Sequence, residues 1–159
     1  MRKTLYLLAG IPGSGKSYFG RDYARKNGIE YVSRDEIRFS LLKEGEEYFS
    51  HEDETWSMFV AAIRMALDTT GSCVADATHT TRAGRWKLLK ALQREVDVHI
   101  LYMNTPLELC LTRNAMRNGY ANVPDNVICK MYYAQQYPTY DENPAFKEIT
   151  YITKGHDDV

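Results

Sequence analysis

The chain is 159 residues long, which is enough for one domain with a buried core. Its hydrophobic fraction of 44% and charged fraction of 26% are typical of a globular protein. Twenty basic and 21 acidic side chains nearly balance, which excludes a protein that coats nucleic acid through bulk positive charge but still allows a local basic groove.

Two further classes of protein are disfavoured. No apolar stretch approaches the roughly 18–20 residues that span a bilayer, and no signal peptide precedes the short apolar run at residues 5–9. We therefore expect a cytoplasmic protein without a membrane partner. Cys73, Cys110 and Cys129 are far apart and follow no metal-ligand spacing, so we expect reduced thiols in or near the core.

The first third of the sequence alternates predicted strands and helices. Residues 5–9 form a continuous apolar run that predicts a buried strand. A helix is predicted over residues 16–25, with Asn27-Gly28 ending it. Residues 29–32 predict a second strand and residues 35–42 a short second helix.

A polar stretch, residues 43–50, leads to a longer helix. Ser50 and Asp53 have the spacing of a capping box, and apolar residues recur at helical spacing after them. Gly71 is predicted to end this helix. Residues 73–76 then predict a third strand that ends at Asp76.

The following helix is predicted over residues 82–93. Its pattern places Trp86 among the inward residues and Arg85 among the outward basic residues. A fourth strand is predicted at 96–102.

Thr105-Pro106-Leu107-Glu108 predicts the start of the next helix, with Thr105 as its cap. This helix is expected to carry Arg113 and Arg117 until Asn118-Gly119 ends it. A further helix to about residue 136 and a strand at 148–152 complete the series.

Strands that alternate with helices predict an α/β fold with a mainly parallel sheet of about five strands flanked by helices. The sequence contains no repeat, low-complexity segment or linker, so residues 1–159 are predicted to form a single domain.

The strongest motif follows the first predicted strand. It matches the phosphate-loop pattern G-x-x-x-x-G-K-[ST] in full and opens a predicted helix, as Gly10-Ile11-Pro12-Gly13-Ser14-Gly15-Lys16-Ser17. The glycines let backbone amides approach phosphates, Lys16 reaches the β- and γ-phosphates, and Ser17 holds Mg²⁺. We therefore predict that ATP or another NTP binds here with Mg²⁺, and that Tyr18 borders the nucleotide.

Other sequence features separate kinases from other phosphate-loop proteins. The strand that ends at Asp76 lacks the neighbouring glutamate that motors use to activate water, and the Asn-Lys-x-Asp guanine motif of GTPases is absent. Small kinases fit the chain length. They also require an acid near the acceptor and arginines near the phosphates.

Asp35 is the candidate acid. It follows the second strand, at the edge of the sheet where the phosphate loop also lies, so it could accept a hydroxyl proton from an acceptor. Arg38, three residues later, could hold a phosphate of the acceptor. The alternative is that Asp35 only caps the next helix.

Two arginines are candidates for neutralising the transferred phosphoryl group. Arg113 and Arg117 are four residues apart and are expected to share one helix face before a flap at residues 118–122. A solvated basic helix end is the alternative. Elsewhere, the cations of residues 82–94 and the tyrosines of residues 132–140 could bind a single strand, or could be a solvated face and core packing.

These motifs together resemble the kinase domain of the phage-type polynucleotide 5′-hydroxyl kinases, in order over nearly the whole chain. The matching segments are the phosphate loop, Arg34-Asp35 with Arg38, Ala75-Asp76-Ala77-Thr78, Arg113-Asn114 with Arg117, Val123-Pro124 and Met131-Tyr132. The chain ends before the Asp-x-Asp-Gly-Thr phosphatase segment of those enzymes, and residues 43–53 have no close match.

The resemblance implies a role for each matching residue. Asp35 would be the general base on the 5′-hydroxyl, Arg38 would hold the acceptor's 3′-phosphate, and Arg117 would contact the β- and γ-phosphates. Asp76 would lie near Ser17 and Mg²⁺, and Thr78 near the acceptor. Arg113 is a weaker candidate on the nucleotide side.

Three functions remain open at this stage. The first is transfer of the γ-phosphate of ATP to the 5′-hydroxyl end of a nucleic acid. The second is phosphorylation of a nucleoside, a sugar nucleotide or another small metabolite on the same scaffold. The third is a regulatory module that binds an NTP. No obligate protein partner is evident.

Overall fold

A computed structural model describes residues 2–153 of the chain. The strands and helices alternate as the sequence predicts, with small shifts at their ends. They are β1 (Lys3–Ala9), α1 (Lys16–Asn27), β2 (Tyr31–Ser33), α2 (Arg34–Leu41), α3 (Glu52–Thr70), β3 (Ser72–Asp76), α4 (Arg82–Leu92), β4 (Val96–Met103), α5 (Leu107–Ala115), a short 3-10 helix (Gly119–Ala121), α6 (Asp125–Tyr133) and β5 (Phe146–Ile152).

The five strands form one parallel sheet in the order β2-β3-β1-β4-β5. β1 lies in the centre, and β3 pairs with it so that Leu8 is opposite Asp76. β2 pairs with the other side of β3, where Ser33 is opposite Asp76. The carboxyl ends of β1, β2 and β3 therefore meet at one edge of the sheet, which is the edge where ligands bind in open parallel sheets.

The sheet is covered by helices on both faces, although the edge strand β5 is partly exposed. One face packs against α3 and α4 in the largest apolar cluster, which includes Leu5, Phe59, Ile63 and Leu88. The other face packs against α1 around Leu8, Val74 and Leu101. Burial on both faces explains why residues 5–9 of the central strand β1 form a continuous apolar run in the sequence.

Two helix starts differ from the prediction. The capping box at Ser50 and Asp53 is absent, because α3 begins at Glu52 and the Ser50 hydroxyl accepts a hydrogen bond from the Glu47 amide at 2.9 Å. Thr105 does not cap α5 either. It donates to the Ser14 carbonyl at 2.7 Å, which ties the start of α5 to the phosphate loop.

α5 ends at Ala115, earlier than predicted. The buried Asn114 side chain accepts a hydrogen bond from the Val123 amide and donates to the Val123 carbonyl, which joins the end of α5 to the segment before α6. Arg117 therefore lies beyond the helix, so the prediction that it shares a helix face with Arg113 is wrong.

The orientation of α4 also differs from the prediction. Arg85, expected on the outward basic face, is fully buried, whereas Trp86, expected inward, is 58% exposed. Arg85 donates to both carboxylate oxygens of Glu142 at 2.9 and 2.7 Å and to the carbonyls of His79 and Gln136. A buried guanidinium with four hydrogen bonds joins α4 to residues 136 and 142 and is not available to a ligand.

Candidate active site

The phosphate loop, residues 10–17, joins β1 to α1 in the middle of the sheet edge. Gly13 and Gly15 have φ angles of +84° and +89°, which a side chain would strain. A Cβ on Gly13 would also collide with the Cys110 carbonyl, because α5 packs directly against the loop. The loop thus leads into the N-terminus of α1, the geometry that binds phosphates through backbone amides.

Lys16, the first residue of α1, forms an ion pair with Asp76 at the end of β3. Asp76 is almost completely buried, and its second oxygen accepts a hydrogen bond from the Tyr31 hydroxyl. Burial acts to raise the pKa of Asp76, but the Lys16 charge and the hydrogen bonds outweigh it, and the pKa is lowered. Asp76 is therefore a carboxylate at neutral pH and holds Lys16 at the loop.

The residues predicted to hold Mg²⁺ lie together. The Ser17 hydroxyl interacts with the Asp76 carboxylate. Both groups are oxygen donors, the type that Mg²⁺ prefers, so the donor set fits the ion. In residues 2–153 no cluster of three or more His, Cys, Asp or Glu side chains has the arrangement of an all-protein metal cage.

Asp35 is in the first turn of α2 and does not cap it. The cap is Ser33, whose hydroxyl accepts a hydrogen bond from the Glu36 amide at 3.2 Å. The Asp35 side chain is about half exposed (53%) and pairs with Arg38. It also accepts a hydrogen bond from the Tyr48 hydroxyl at 3.0 Å.

Arg38 is buried among charged and aromatic partners. Its Nε donates to Glu52 Oε2 at 3.0 Å and its Nη2 to Glu52 Oε1. Its guanidinium lies 4.6 Å from the centre of the Tyr48 ring and 5.8 Å from that of Phe49. Glu52 and Tyr48 were not predicted as site residues, because they belong to the segment 43–53, which carries no motif.

A cavity of about 620 Å³ connects these groups. Lys16 and Asp76 lie at the phosphate-loop end, and Asp35, Arg38 and Glu52 contribute the charged part of its wall. Most of the remaining lining is aromatic or apolar, including Tyr48, Phe49, Tyr120, Val123, Pro124, Val127 and Met131.

Tyr120 joins the two sides of this cavity. Its hydroxyl donates to the Glu46 carbonyl, and its ring stacks on Phe39 with centroids 6.3 Å apart. The 3-10 helix after α5 thereby contacts the loop between α2 and α3. The predicted flap at residues 118–122 and the unmatched segment 43–53 meet above the site.

The remaining predicted site residues have different positions. Thr78 lines the cavity, and its carbonyl accepts a hydrogen bond from the Gly10 amide at 2.9 Å. Arg113 lies against the phosphate loop, with Nη1 within 2.9 Å of where a Gly15 Cβ would be. Arg117 contacts the Ala121 carbonyl at 3.5 Å and does not line the cavity. Tyr18 points outward from α1 and is 84% exposed.

The predicted basic and tyrosine-rich surfaces lie apart from the cavity. Tyr133 and Tyr140 are exposed but do not line it, and Tyr140 accepts a hydrogen bond from the Ile149 amide at 3.1 Å.

None of the helices formed by residues 2–153 is both long and apolar enough to cross a membrane.

The chain is similar to a protein family and to a known kinase. The model of a family described as "AAA domain" matches residues 5–138. The L-seryl-tRNA(Sec) kinase of Methanococcus maripaludis is 29% identical over 137 residues, which are 80% of this chain and 51% of that protein. The chain thus spans about half the length of the curated relative it matches.

Solved structures share the fold at low sequence identity. A chain of the Pnkp1/Rnl/Hen1 RNA repair complex matches with a TM-score of 0.72 and 22% identity, covering 84% of this chain and 44% of that one. A gluconokinase from Sinorhizobium meliloti 1021 matches with a TM-score of 0.62 and 18% identity, covering 96% and 83%. The prediction of an α/β P-loop kinase fold is confirmed, and kinases are among the proteins that the chain resembles.

Proposed function

The chain belongs to the AAA domain family, and from this premise we propose that it transfers the γ-phosphate of ATP to the 5′-hydroxyl end of a polynucleotide. The observation that carries the proposal is the cavity that runs from the phosphate loop to Asp35. Lys16 and Asp35 both line this cavity, so an acceptor bound in it would lie between the phosphate loop and the proposed base.

The chemistry assigned to these residues is an in-line displacement. Asp35 accepts the proton of the acceptor hydroxyl, the hydroxyl oxygen bonds to the γ-phosphorus, and the bond from that phosphorus to the β–γ bridging oxygen breaks. ADP leaves with the electron pair of that bond. Lys16 stabilises the charge that develops on the phosphate oxygens.

Ser17 and Asp76 are the residues proposed to hold Mg²⁺. The bound ion would neutralise the phosphate charge. Asp76 has a second role in the protein itself, because its ion pair keeps Lys16 at the loop. The arginines near the flap are proposed to complete the charge stabilisation, with Arg113 on the nucleotide side. Arg117 does not line the cavity in this structure, so its proposed transition-state contact requires the flap to bring it to the phosphates.

The lining of the cavity supports a nucleic-acid end as the acceptor. Tyr48, Phe49 and Tyr120 offer ring faces beside the charged groups, and bases stack on such faces without sequence readout. Two of the similar proteins are connected with RNA by their names: the L-seryl-tRNA(Sec) kinase and a chain of an RNA repair complex.

One observation favours the second candidate, a small-metabolite kinase. The two Arg38–Glu52 hydrogen bonds occupy donors that a 3′-phosphate of a polynucleotide would need. A small acceptor without that phosphate does not need the Arg38 donors, and a gluconokinase shares the fold. A regulatory NTP-binding module is the third candidate, and the acid beside the acceptor space argues against it.

The test is a transfer assay with γ-labelled ATP and a panel of acceptors. We expect label on the 5′ end of a 5′-hydroxyl oligonucleotide and none on its 5′-phosphorylated control. Label on a nucleoside or sugar, with none on the oligonucleotide, would replace the proposal with the second candidate. ATP binding without transfer to any member of the panel would favour the third.

A further inference from the structure

The Tyr48 hydroxyl bridges the proposed base and its arginine. It donates to Asp35 Oδ1 at 3.0 Å and accepts a hydrogen bond from Arg38 Nη1 at 2.8 Å. Its ring also packs against the Arg38 guanidinium, whose carbon lies 4.6 Å from the ring centre. Tyr48 thus contacts Asp35 through its hydroxyl, and Arg38 through both its hydroxyl and its ring.

These contacts restrict a carboxylate that would otherwise rotate. The Asp35 side chain is about half exposed, so burial alone does not hold it. Tyr48 and Arg38 both bond to Oδ1. Within residues 2–153, no side-chain hydrogen bond involves Oδ2. Oδ2 is therefore the oxygen left to accept a proton from a hydroxyl.

We infer that Tyr48 is a positioning residue, which orients the Asp35 carboxylate toward the acceptor hydroxyl. The inference rests on the proposed role of Asp35 as the base, but it holds for any acceptor. It also gives a function to the segment 43–53, which brings Tyr48 and Glu52 to the same arginine.

Tyr48 is suited to this task because its hydroxyl keeps its proton. Burial and, after it, the Asp35 charge raise the pKa of Tyr48 above its ordinary value. The group is a hydrogen-bond donor at every pH at which an enzyme of this kind works. Because the Tyr48 hydroxyl donates to Oδ1 of Asp35, Oδ2 stays available to accept the proton of the acceptor hydroxyl.

Replacing Tyr48 with phenylalanine tests the inference. Tyr48→Phe keeps the ring against Arg38 and removes only the hydroxyl. We expect kcat to fall roughly tenfold, the effect of one hydrogen bond to a charged group, while the KM values for ATP and acceptor stay within about twofold. Unchanged kcat, or a loss confined to KM, would overturn the inference.

Tyr23→Phe is the matched control. Tyr23 lies on α1 beside Phe19 and Tyr6, away from the cavity, so the same atom is removed from a position without a proposed role. Its kinetic constants should equal those of the unmodified protein. Equal losses in both variants would indicate a general structural effect and would also overturn the inference.

A double variant separates positioning from a contribution independent of Asp35. If Tyr48 acts through the carboxylate, Tyr48→Phe should cause little further loss in an Asp35→Asn background. Additive losses would contradict the inference.

The acceptor panel keeps the two proposals distinguishable. Transfer to a small molecule but not to an oligonucleotide would reject the polynucleotide proposal, and Tyr48→Phe would then be measured with that molecule. Normal turnover in Asp35→Asn would reject the base, and the positioning role with it. Failure to phosphorylate any acceptor would reject both proposals.

Discussion

The charged side chains of the site are held mainly by each other. Asp76 pairs with Lys16, and Arg38 bonds to Asp35 and Glu52. Paired charges in a partly buried site keep fixed positions, which phosphoryl transfer requires of the groups that stabilise developing charge. The position of Asp35 was predictable from its place after β2. Its partner Tyr48, 13 residues later in a segment without a motif, was not predictable.

The two arginines near the flap should have separable effects. Arg117→Ala is expected to reduce kcat by roughly 100-fold or more with nearly unchanged ATP affinity, because it removes the contact proposed for the transition state. Arg113 lies against the phosphate loop, so Arg113→Ala should mainly raise the Kd for ATP. Turnover and ATP binding measured on both variants check the assignment, and the reverse pattern would exchange the two roles.

His79 gives a prediction about stability and pH. The side chain is buried and contacts the Leu8 carbonyl through Nδ1 at 2.7 Å, and burial lowers its pKa to about 4. The unfolded chain therefore takes up a proton near pH 6.5 that the folded protein does not. We expect the free energy of unfolding to decrease as the pH falls from about 6.5 to about 4.

Urea titrations at several pH values measure this effect. His79→Asn is the comparison, since φ at this residue is +44° and asparagine tolerates a positive φ. The variant should lose less stability than the unmodified protein over the same interval. Parallel curves for the two proteins would show that His79 is not responsible.

At the scale of elements, the phosphate loop depends on its neighbour α5. The Cys110 carbonyl occupies the space where a Gly13 side chain would extend, and Thr105 holds the Ser14 carbonyl. The loop motif itself was predictable, because its residue types act locally. Its support by α5 was not, since residues about 90 positions apart meet only in the folded chain.

Gly13→Ala is expected to raise the Kd for ATP at least about tenfold, because a strained φ and a collision with the backbone of α5 both displace the loop. Gly28→Ala is the control, since Gly28 has a φ of +64° but no atom lies within 4 Å of where its Cβ would be. It should cost about 1 kcal/mol of stability and leave ATP affinity unchanged. Equal ATP affinities in Gly13→Ala and Gly28→Ala would contradict the role of the α5 contact in holding the phosphate loop.

At the scale of the whole molecule, the strand order assembles the site. Because β3 lies between β1 and β2, Asp76 is adjacent to both the phosphate loop and the residues after β2. Arg85 bonds to Glu142 and to the Gln136 carbonyl, which ties the segment before β5 to α4. The sequence pattern predicted an outward basic residue at position 85, and in the fold it is a core group.

Arg85→Ala should lower the free energy of unfolding by about 3–5 kcal/mol, because it leaves the Glu142 carboxylate and two carbonyls without their donor. Arg82→Ala is the matched control, since that side chain is 57% exposed and lies 3.6 Å from Glu142. Its effect should stay within about 0.5 kcal/mol. Denaturant unfolding of both variants measures the difference, and similar losses would contradict the structural role of Arg85.

The sequence by itself determined the α/β class, the alternation of elements and the nucleotide-binding loop. These depend on short-range patterns: apolar runs, glycines at turns and a loop whose function lies in eight consecutive residues. Only the tertiary structure decided that Arg85 is buried, that Arg117 lies outside α5, and that Tyr48 and Glu52 hold the proposed acceptor side. The physical reason is that burial and pairing of a charge depend on what the fold places opposite it, and a side chain's own neighbours in sequence do not specify that partner.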